Sequence, residues 1–492
     1  MEGELLADLG SAPRSCLIGT DWQEGDADVT ISVIDPSTGK EVASFAAASV
    51  RQAQEAVHSA RAAFDDGRWS DEHPSARSKW LHKLADAFDA AAPLFAQLLV
   101  TEIGSPVGLV RGAQVDGAIE LLRWFADAAA TGPRPGFEEI LPTHYGSVRS
   151  RSILRYEPVG VAAAITAYNF PLLLLIRKLG AALAAGCSIV VMPSPRAPLS
   201  TIAFVRLVQE LDLPTGTVNL VVGGPDVGER ITTHPQVDLV TFTGSRSVGE
   251  AVMKQAARGI KRVILELGGK SANIVLPGSD LDVIVRPSLM RFSVNAGQGC
   301  GATTRTFVLR DDYDAYVATA RRVFDGLTVG SAYDPATVVG PLIRAEQRSF
   351  VQQHIDRAVA NGGTVEAIVP AVPDEGFFVA PQLIGGVTNE SVIAQTELFG
   401  PVGAIMAVDS VDEAVTLANQ SSFGLNANIW GPLPTALDVA RRLRTGNVTI
   451  NGGGATRPDA PWGGYRESGI GREGGEAGLR EFFELKHIQW PT

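Results

Sequence analysis

The sequence predicts an α/β protein built from two doubly wound α/β domains and a small β arm. Three observations predict it. Between residues 159 and 267, five continuous apolar runs alternate with amphipathic helical patterns, as in a parallel sheet covered on both faces. After Gly269 the same rhythm resumes as a second unit. At 492 residues the chain also exceeds what one hydrophobic core organises.

The first 130 residues read mainly as helix: at 53–64, 76–91 and 93–101 apolar residues rich in Ala and Leu recur at helical spacing. From 147 to 156 the pattern turns to alternation (Val148, Ser150, Ser152, Leu154, Tyr156), the mark of an exposed strand or hairpin arm. Strands follow at 159–166, 188–192, 218–222, 239–243 and 262–267, with helices at 172–185, 200–211, 227–233 and 248–258 between them. In the second unit, strands are expected at 273–276, 304–309, 402–407, 426–430 and 447–451, and helices at 313–324, 345–361, 411–419 and 436–445. A glycine-rich loop, 451–476, precedes a closing strand at 482–489. This places one domain at 1–137 and 157–267, a second at 268–475, and the arm at 138–156 and 476–492.

Composition narrows the function classes. Apolar residues make up 45% and charged residues 20%, ordinary for a soluble globular chain. A net charge of −12 argues against nucleic acid or an anionic membrane as partner. Cys16, Cys187 and Cys300 are odd in number and far apart, which argues against a disulfide framework or a metal site and suits a reducing compartment. The first residues carry Glu2, Glu4 and Asp8 with no basic start, so no signal peptide is expected. The apolar run at 172–176 is broken by Arg177-Lys178, well short of a membrane span. A cytoplasmic protein is expected.

The chemistry should lie at the strand ends, because open α/β sheets bind ligands beyond the carboxyl ends of their strands. Those ends carry Tyr168-Asn169-Phe170-Pro171, Met192-Pro193-Ser194, Gly223-Gly224-Pro225, Phe242-Thr243-Gly244-Ser245 and Glu266-Leu267-Gly268. No Gly-x-Gly-x-x-Gly follows a strand. Gly223 to Gly228 and Gly244 to Gly249 are looser variants, and leave a nucleotide site and plain tight turns both open. Cys300, in Asn295-Ala296-Gly297-Gln298-Gly299-Cys300-Gly301, has small neighbours that allow close backbone approach, unlike a packing cysteine.

Taken in order, these motifs resemble the aldehyde dehydrogenase superfamily over nearly the whole chain. The resemblance rests on Tyr168-Asn169-Phe170-Pro171 with Lys178 following, Phe242-Thr243-Gly244-Ser245, and Glu266-Leu267-Gly268-Gly269-Lys270. It continues through Gly297-Gln298-Gly299-Cys300, Glu397-Leu398-Phe399-Gly400-Pro401, Pro461 to Tyr465, Ser468-Gly469 and Gly471-Arg472-Glu473. It implies that the first domain is Rossmann-like and binds the cofactor, and that the second is catalytic.

Oxidising an aldehyde by hydride transfer first requires a tetrahedral centre, which a thiolate makes well. The resemblance implies Cys300 as nucleophile, and Asn169 with the Cys300 backbone N–H as oxyanion donors. It implies Glu266 as the base that activates water, and Lys178 with Glu473 in a proton path. The presence of Glu266 favours hydrolysis to a free acid over transfer to coenzyme A. The implied cofactor site comprises Thr166, Ala167, Tyr168, Met192, Ser194, Arg196, Gly224, Gly228, Phe242, Thr243, Gly244, Ser245, Val248, Leu267 and Gly268, with Glu397 at the nicotinamide ribose and Phe399 against the ring. Phe170, Leu174, Arg177, Gly299, Gly301 and Trp462 would line the aldehyde tunnel, with aliphatic groups along 172–176. Read alone, Asn169 could be a turn residue, Glu266 a paired buried acid, and Lys178 and Glu473 solvated helix charges.

The chain also departs from the family. Members using NAD often carry Lys and Glu where Met192 and Pro195 stand, and neither replacement offers a side-chain partner for a ribose hydroxyl. Either the backbone and Ser245 hold the dinucleotide, or Arg196 supplies a cation, which could favour the 2′-phosphate of NADP. NAD is the expected cofactor and NADP the alternative. Arg177 occupies a position that binds carboxylates in semialdehyde-oxidising relatives, but the second arginine of that clamp is replaced by Val294, so an apolar aliphatic or aromatic aldehyde is expected. The arm's sheet edges, covered between subunits in the family, predict a homodimer or homotetramer. Two other readings stay open: a catalytically idle homologue with a structural or binding role, and a cofactor-independent thiol esterase.

Overall fold

A computed structural model describes residues 14–132, 137–453 and 457–492. The N-terminal Glu2, Glu4 and Asp8 and part of the glycine-rich loop lie outside the described residues. In the first unit, parallel strands run in the order Val218–Val221, Ser188–Met192, Val161–Ile165, Leu239–Thr243 and Arg262–Glu266. The chain enters at the central strand, winds outward to one side, then returns to wind to the other. The order reverses between Val161–Ile165 and Leu239–Thr243, the crevice where such sheets bind ligands. These strands read as unbroken apolar runs because helices cover both faces; Ser188–Met192 and Leu239–Thr243 are buried throughout.

The sheet is not purely parallel. Cys16–Ile18 and Asp21–Gln23 extend one edge antiparallel, with Cys16 opposite Val221. At the other edge Gly469–Ile470 pairs antiparallel with Arg262–Glu266, setting Gly469 opposite Glu266. A Cβ on Gly469 would lie 1.9 Å from the Leu265 carbonyl oxygen, so only glycine permits that close approach. The described part of the first 130 residues is mainly helical, as expected, but four short strands that the sequence left unassigned, ending with the hairpin Thr30–Asp35 and Lys40–Ala46, precede the first helix, Val50–Asp65. Two of them, Cys16–Ile18 and Asp21–Gln23, belong to a sheet whose partner strand lies about 200 residues away in the chain, so no local periodicity announces them.

The second unit holds a seven-stranded sheet. It is parallel except for Thr364–Ile368, which pairs antiparallel with Gln382–Gly385; the sequence left both strands unassigned. The helix Leu281–Ser293, also unassigned, contains Pro287 and leads into the Cys300 loop. The arm is a four-stranded sheet in which Arg149–Pro158 lies centrally, between Phe483–Pro491 and the short strands Glu138–Ile140 and His144–Tyr145. The expected exposed edge at 147–156 is thus covered on both sides within the chain, and among the described residues Phe483–Pro491 is the long strand with an unpaired edge. Among the described residues, no single helix is long and apolar enough to cross a membrane.

Candidate active site

The Cys300 loop begins where Leu281–Ser293 ends. Asn295, Ala296 and Gly297 are all left-handed, with φ of 56°, 52° and 71°. A non-glycine residue in that region costs about 1–2 kcal/mol, so something must hold the turn. A Cβ on Gly297 would lie 2.1 Å from the Gly400 carbonyl oxygen, which explains the glycine. The buried Gln298 does the holding. Its Nε2 donates to the Asn295 carbonyl (3.2 Å), while its Oε1 accepts from the Ile343 amide (3.0 Å) and the Tyr168 hydroxyl (3.2 Å).

The same brace fixes Asn169. Its Nδ2 donates to the Gln298 carbonyl (2.9 Å), and its own carbonyl accepts from Gln114 Nε2 (3.0 Å) and Asn295 Nδ2 (3.1 Å). An amide carries two N–H donors, so one remains available for a further acceptor. Sequence reasoning missed Gln114, Asn295 and the Gln298 side chain as braces; single polar residues give no local signal of a bond to a loop far along the chain. Cys300 is partly accessible, unlike the buried Cys16 and Cys187. Burial, then the nearby Glu266 charge, pushes its thiol up to about 12, and the Arg177 guanidinium opposes this.

Glu266 ends the Arg262–Glu266 strand, 3% exposed, and among the described residues neither carboxylate oxygen has a hydrogen-bond partner. Burial, then the Glu473 charge, holds it well above the usual carboxylate range; Arg177, Lys178 and Arg472 pull the other way. A Cβ on Gly463 would approach Glu266 Oε1 to 2.8 Å, so that glycine keeps space beside the carboxylate. Lys178 and Glu473 are not solvated helix charges. Both are buried and bonded to each other, and Lys178 Nζ also donates to Thr241 Oγ1 (3.1 Å). Glu473 Oε2 is buried without a partner, leaving three orphaned carboxylate oxygens in one neighbourhood. Such groups call for water or a proton to complete them.

The cleft at the strand-order reversal suits a dinucleotide. Thr166 Oγ1 and Thr243 Oγ1 are buried without partners at adjacent strand ends. Gly224 and Ser245 precede the helices Pro225–Thr233 and Arg246–Ala256, and no side chain caps either N-terminus, so amide N–H groups stay available for a phosphate. A Cβ on Gly244 would lie 2.4 Å from the Phe242 ring, and one on Gly268 1.9 Å from Glu397 Oε2, so a side chain at either place would displace that neighbour. Glu397 accepts from the Gly269 amide (3.1 Å), and burial pushes its carboxyl up to about 7. Phe399, left-handed at φ 52°, meets Tyr168 edge-on at 6.0 Å. Val248 is half exposed on the first turn of its helix, Leu267 is buried with its amide on the Ser468 carbonyl, and Ala167 lies between Thr166 and Tyr168. Met192 packs its thioether 3.6 Å from the Cβ position of Gly228, an apolar contact with no donor for a ribose.

On the substrate side, the Arg177 guanidinium lies over the Trp462 ring at 5.2 Å, and a Cβ on Gly301 would lie 2.9 Å from that ring. Gly299 and Phe170 are partly accessible. The aliphatic run is divided. Leu172, Leu175 and Ile176 pack into the first unit's core, a correction to the expectation that the whole run lines the tunnel, because a helix turns successive side chains to different faces. Leu174 is buried outside that core. Asn426, which the sequence did not single out, donates to the Gly301 carbonyl (2.9 Å) and keeps a buried, unpartnered Oδ1.

Comparison with known proteins agrees with this geometry. Residues 22–488 match the family described as the Aldehyde dehydrogenase family. The putative aldehyde dehydrogenase DhaS of Bacillus subtilis is 36% identical over 463 residues, covering 93% of this chain and 92% of that protein. The geranial dehydrogenase of Castellaniella defragrans is 35% identical, covering 96% and 97%. The crystal structure of a betaine aldehyde dehydrogenase from Staphylococcus aureus with NAD+ superposes with a TM-score of 0.93 at 32% identity, over 99% and 95% of the two chains. A mutant aldehyde dehydrogenase C from Pseudomonas syringae, solved with NAD+ and octanal, gives 0.91 at 36% identity over 96% of each chain.

Proposed function

The chain belongs to the aldehyde dehydrogenase family, and from that membership we propose that it oxidises an aldehyde to a carboxylic acid with NAD, through a thioester on Cys300. One observation carries the reading: a partly accessible thiol lies within reach of the charge of a buried carboxylate lacking partners, and the thiol's own loop braces an amide donor. The partly accessible Cys300 thiol gives its proton to solvent, Sγ attacks the aldehyde carbon, and the oxyanion takes hydrogen bonds from the free Asn169 N–H and the Cys300 backbone amide. When bound, NAD supplies the hydride acceptor that turns this adduct into a thioester. Glu266 then takes a proton from water, the hydroxide displaces Sγ, and the acid leaves. The bonded group of Thr241, Lys178 and Glu473, whose charges act on Glu266, would receive that proton across an intervening water. Thr166, Thr243, Glu397 and the two uncapped helix ends would hold the dinucleotide, and relatives solved with NAD+ support NAD.

An apolar aldehyde fits the tunnel best. Phe170, Leu174 and Trp462 supply apolar walls, and Arg177 spends its face on Trp462 with Val294 where a second arginine would stand. The relatives named for geranial and octanal act on or hold such aldehydes. The three free thiols suit a reducing compartment such as the cytoplasm. A homodimer or homotetramer follows from the free edge of Phe483–Pro491.

The test is cofactor reduction with a panel of aldehydes by wild type and Cys300→Ala. NADH formation that the substitution abolishes, with a higher kcat/KM for hexanal or benzaldehyde than for succinic semialdehyde, is the expected result. No reduction with any aldehyde would mean an idle homologue. Ester cleavage indifferent to either cofactor would mean a thiol esterase.

A further inference from the structure

We infer that Arg196 and Arg344 form a two-sided clamp for a phosphate group of the dinucleotide, one arm from each unit of the fold. The inference rests on the dinucleotide site proposed above and goes beyond it, because it assigns a charge pair that spans the cleft.

The clamp is organised around Tyr168. From the loop after the Ser188–Met192 strand, the Arg196 guanidinium lies over the Tyr168 ring, 5.7 Å from its centroid. The backbone N–H of Arg196 donates to Ser194 Oγ (3.3 Å), which sets the turn. Among the described residues that guanidinium has no hydrogen bond or ion pair. At the other end of the same ring, the Tyr168 hydroxyl shares Gln298 Oε1 with the Ile343 amide. The next residue, Arg344, precedes the helix Ala345–Ala360 in the second unit.

Arg344 is also short of partners. Its Nε is buried and unbonded, and the nearest carboxylate is Glu346, 3.8 Å away and 76% exposed. The Arg344 charge is felt at both Tyr168 and Arg196, and after burial it is the main influence lowering the Arg196 guanidinium. One guanidinium over the Tyr168 ring and a second whose charge reaches it, with the exposed Glu346 beside Arg344 and the buried Glu397 also acting on Tyr168, repel each other until an anion enters between them. Phosphate suits the place, since guanidinium forks match its oxygens in pairs.

The chain needs such a contact. Met192 and Pro195 provide no polar side chain for the adenosine ribose. The uncapped helix end at Ser245 lies on the neighbouring strand, since Phe242 pairs with Ile165. The clamp would thus set its phosphate between those amide N–H groups and the two arginines. Two sources share this chemistry: the diphosphate common to NAD and NADP, and the 2′-phosphate of NADP.

Equilibrium binding without aldehyde separates them. NAD, NADP, ADP, inorganic pyrophosphate and adenosine would be titrated by tryptophan fluorescence into wild type, Arg196→Gln and Arg344→Gln, over a range of salt. Each substitution is expected to weaken the phosphate-bearing ligands about tenfold, the size of one charge-assisted contact at a partly exposed site, and to leave adenosine unchanged. The salt dependence should become shallower in both variants. Equal losses for NAD, NADP, ADP and pyrophosphate assign the diphosphate; a loss confined to NADP assigns the 2′-phosphate. Wild-type affinities within twofold for every ligand in Arg344→Gln, at an unchanged melting temperature, would overturn the clamp. If wild type bound pyrophosphate but no dinucleotide, and both variants lost pyrophosphate, the clamp would stand and the dinucleotide reading would fall.

Discussion

Cys300 and Glu266 share one electrostatic problem: burial disfavours the charged form of each, and a neighbouring carboxylate adds to it, Glu266 for the thiol and Glu473 for Glu266. Arg177, whose guanidinium lies over the Trp462 ring, is the foremost opposing influence on both. A thiol raised to about 12 is mostly protonated at neutral pH, so in the free protein its alkylation by iodoacetamide should be slow at pH 7. The rate should then climb without a plateau through pH 10. Arg177→Leu removes the opposing charge, so it should slow alkylation further at every pH. It should also move the acid limb of the kcat profile, set by Glu266, to higher pH; a profile unmoved by the substitution would remove Arg177 from the site's electrostatics. At this scale the sequence was most legible where one residue type is chemically indispensable. Cys300, Glu266 and Asn169 stand out because thiolate, base and amide donor have few substitutes. The braces Gln298, Gln114 and Asn295 were opaque, since only the folded chain reveals which carbonyl a buried amide meets.

Between elements, the same rule of satisfying buried polar groups explains how the first unit's helices are fastened together. Glu102, in the helix Ala92–Ile103, is buried and accepts from the amides of Leu199 (2.7 Å) and Ser200 (3.0 Å), capping the helix Leu199–Gln209 from a distance. Burial pushes its carboxyl up to about 7 from 4.5, while the Ser200 and Leu199 contacts pull it down. For an acid raised on folding, the folded state binds the extra proton between those two values. The stabilisation is therefore complete below about 4.5, and about 3 kcal/mol of it is lost as pH rises through 7. Glu102→Ala leaves two buried amides uncapped, and should cost about 2–4 kcal/mol at pH 5. The cost should shrink at pH 8, where the wild type already carries a buried charge. Thermal melts at the two pH values check this, and a larger cost at pH 8 would reverse the sign of the argument. Regular elements were legible because apolar periodicity is local, as in Ser188–Met192 and Leu239–Thr243, whose bounds match the sequence expectation. Cys16–Ile18, Thr364–Ile368 and the proline-containing Leu281–Ser293 were not, because partners distant in the chain make them what they are.

Across the whole molecule, one continuous segment links the active site to the arm. Gly469–Ile470 closes the first unit's sheet beside Glu266, and Glu473 follows on Lys178. The short helix Gly475–Arg480 then leads into Phe483–Pro491. That last strand pairs with Arg149–Pro158 along its whole length on one side and offers its other edge to solvent. Its exposed apolar side chains include Leu485 (53%) and Trp490 (41%), and Ile140 and Tyr145 stand exposed on the same sheet. A long free edge with apolar side chains is a template for another chain, and a second copy offers the matching edge by two-fold symmetry. Light scattering at micromolar concentration should therefore report two or four chains, and Ile488→Glu with Trp490→Glu should reduce the mass to one. Because the segment is continuous, the monomeric variant should also lose turnover, as fraying of Phe483–Pro491 loosens the placement of Glu473. A monomeric wild type would refute the edge argument. A monomeric variant with full turnover would instead show that the Trp462–Glu473 backbone pair, with bonds of 2.7 and 2.8 Å, suffices to hold Glu473 in place without the arm.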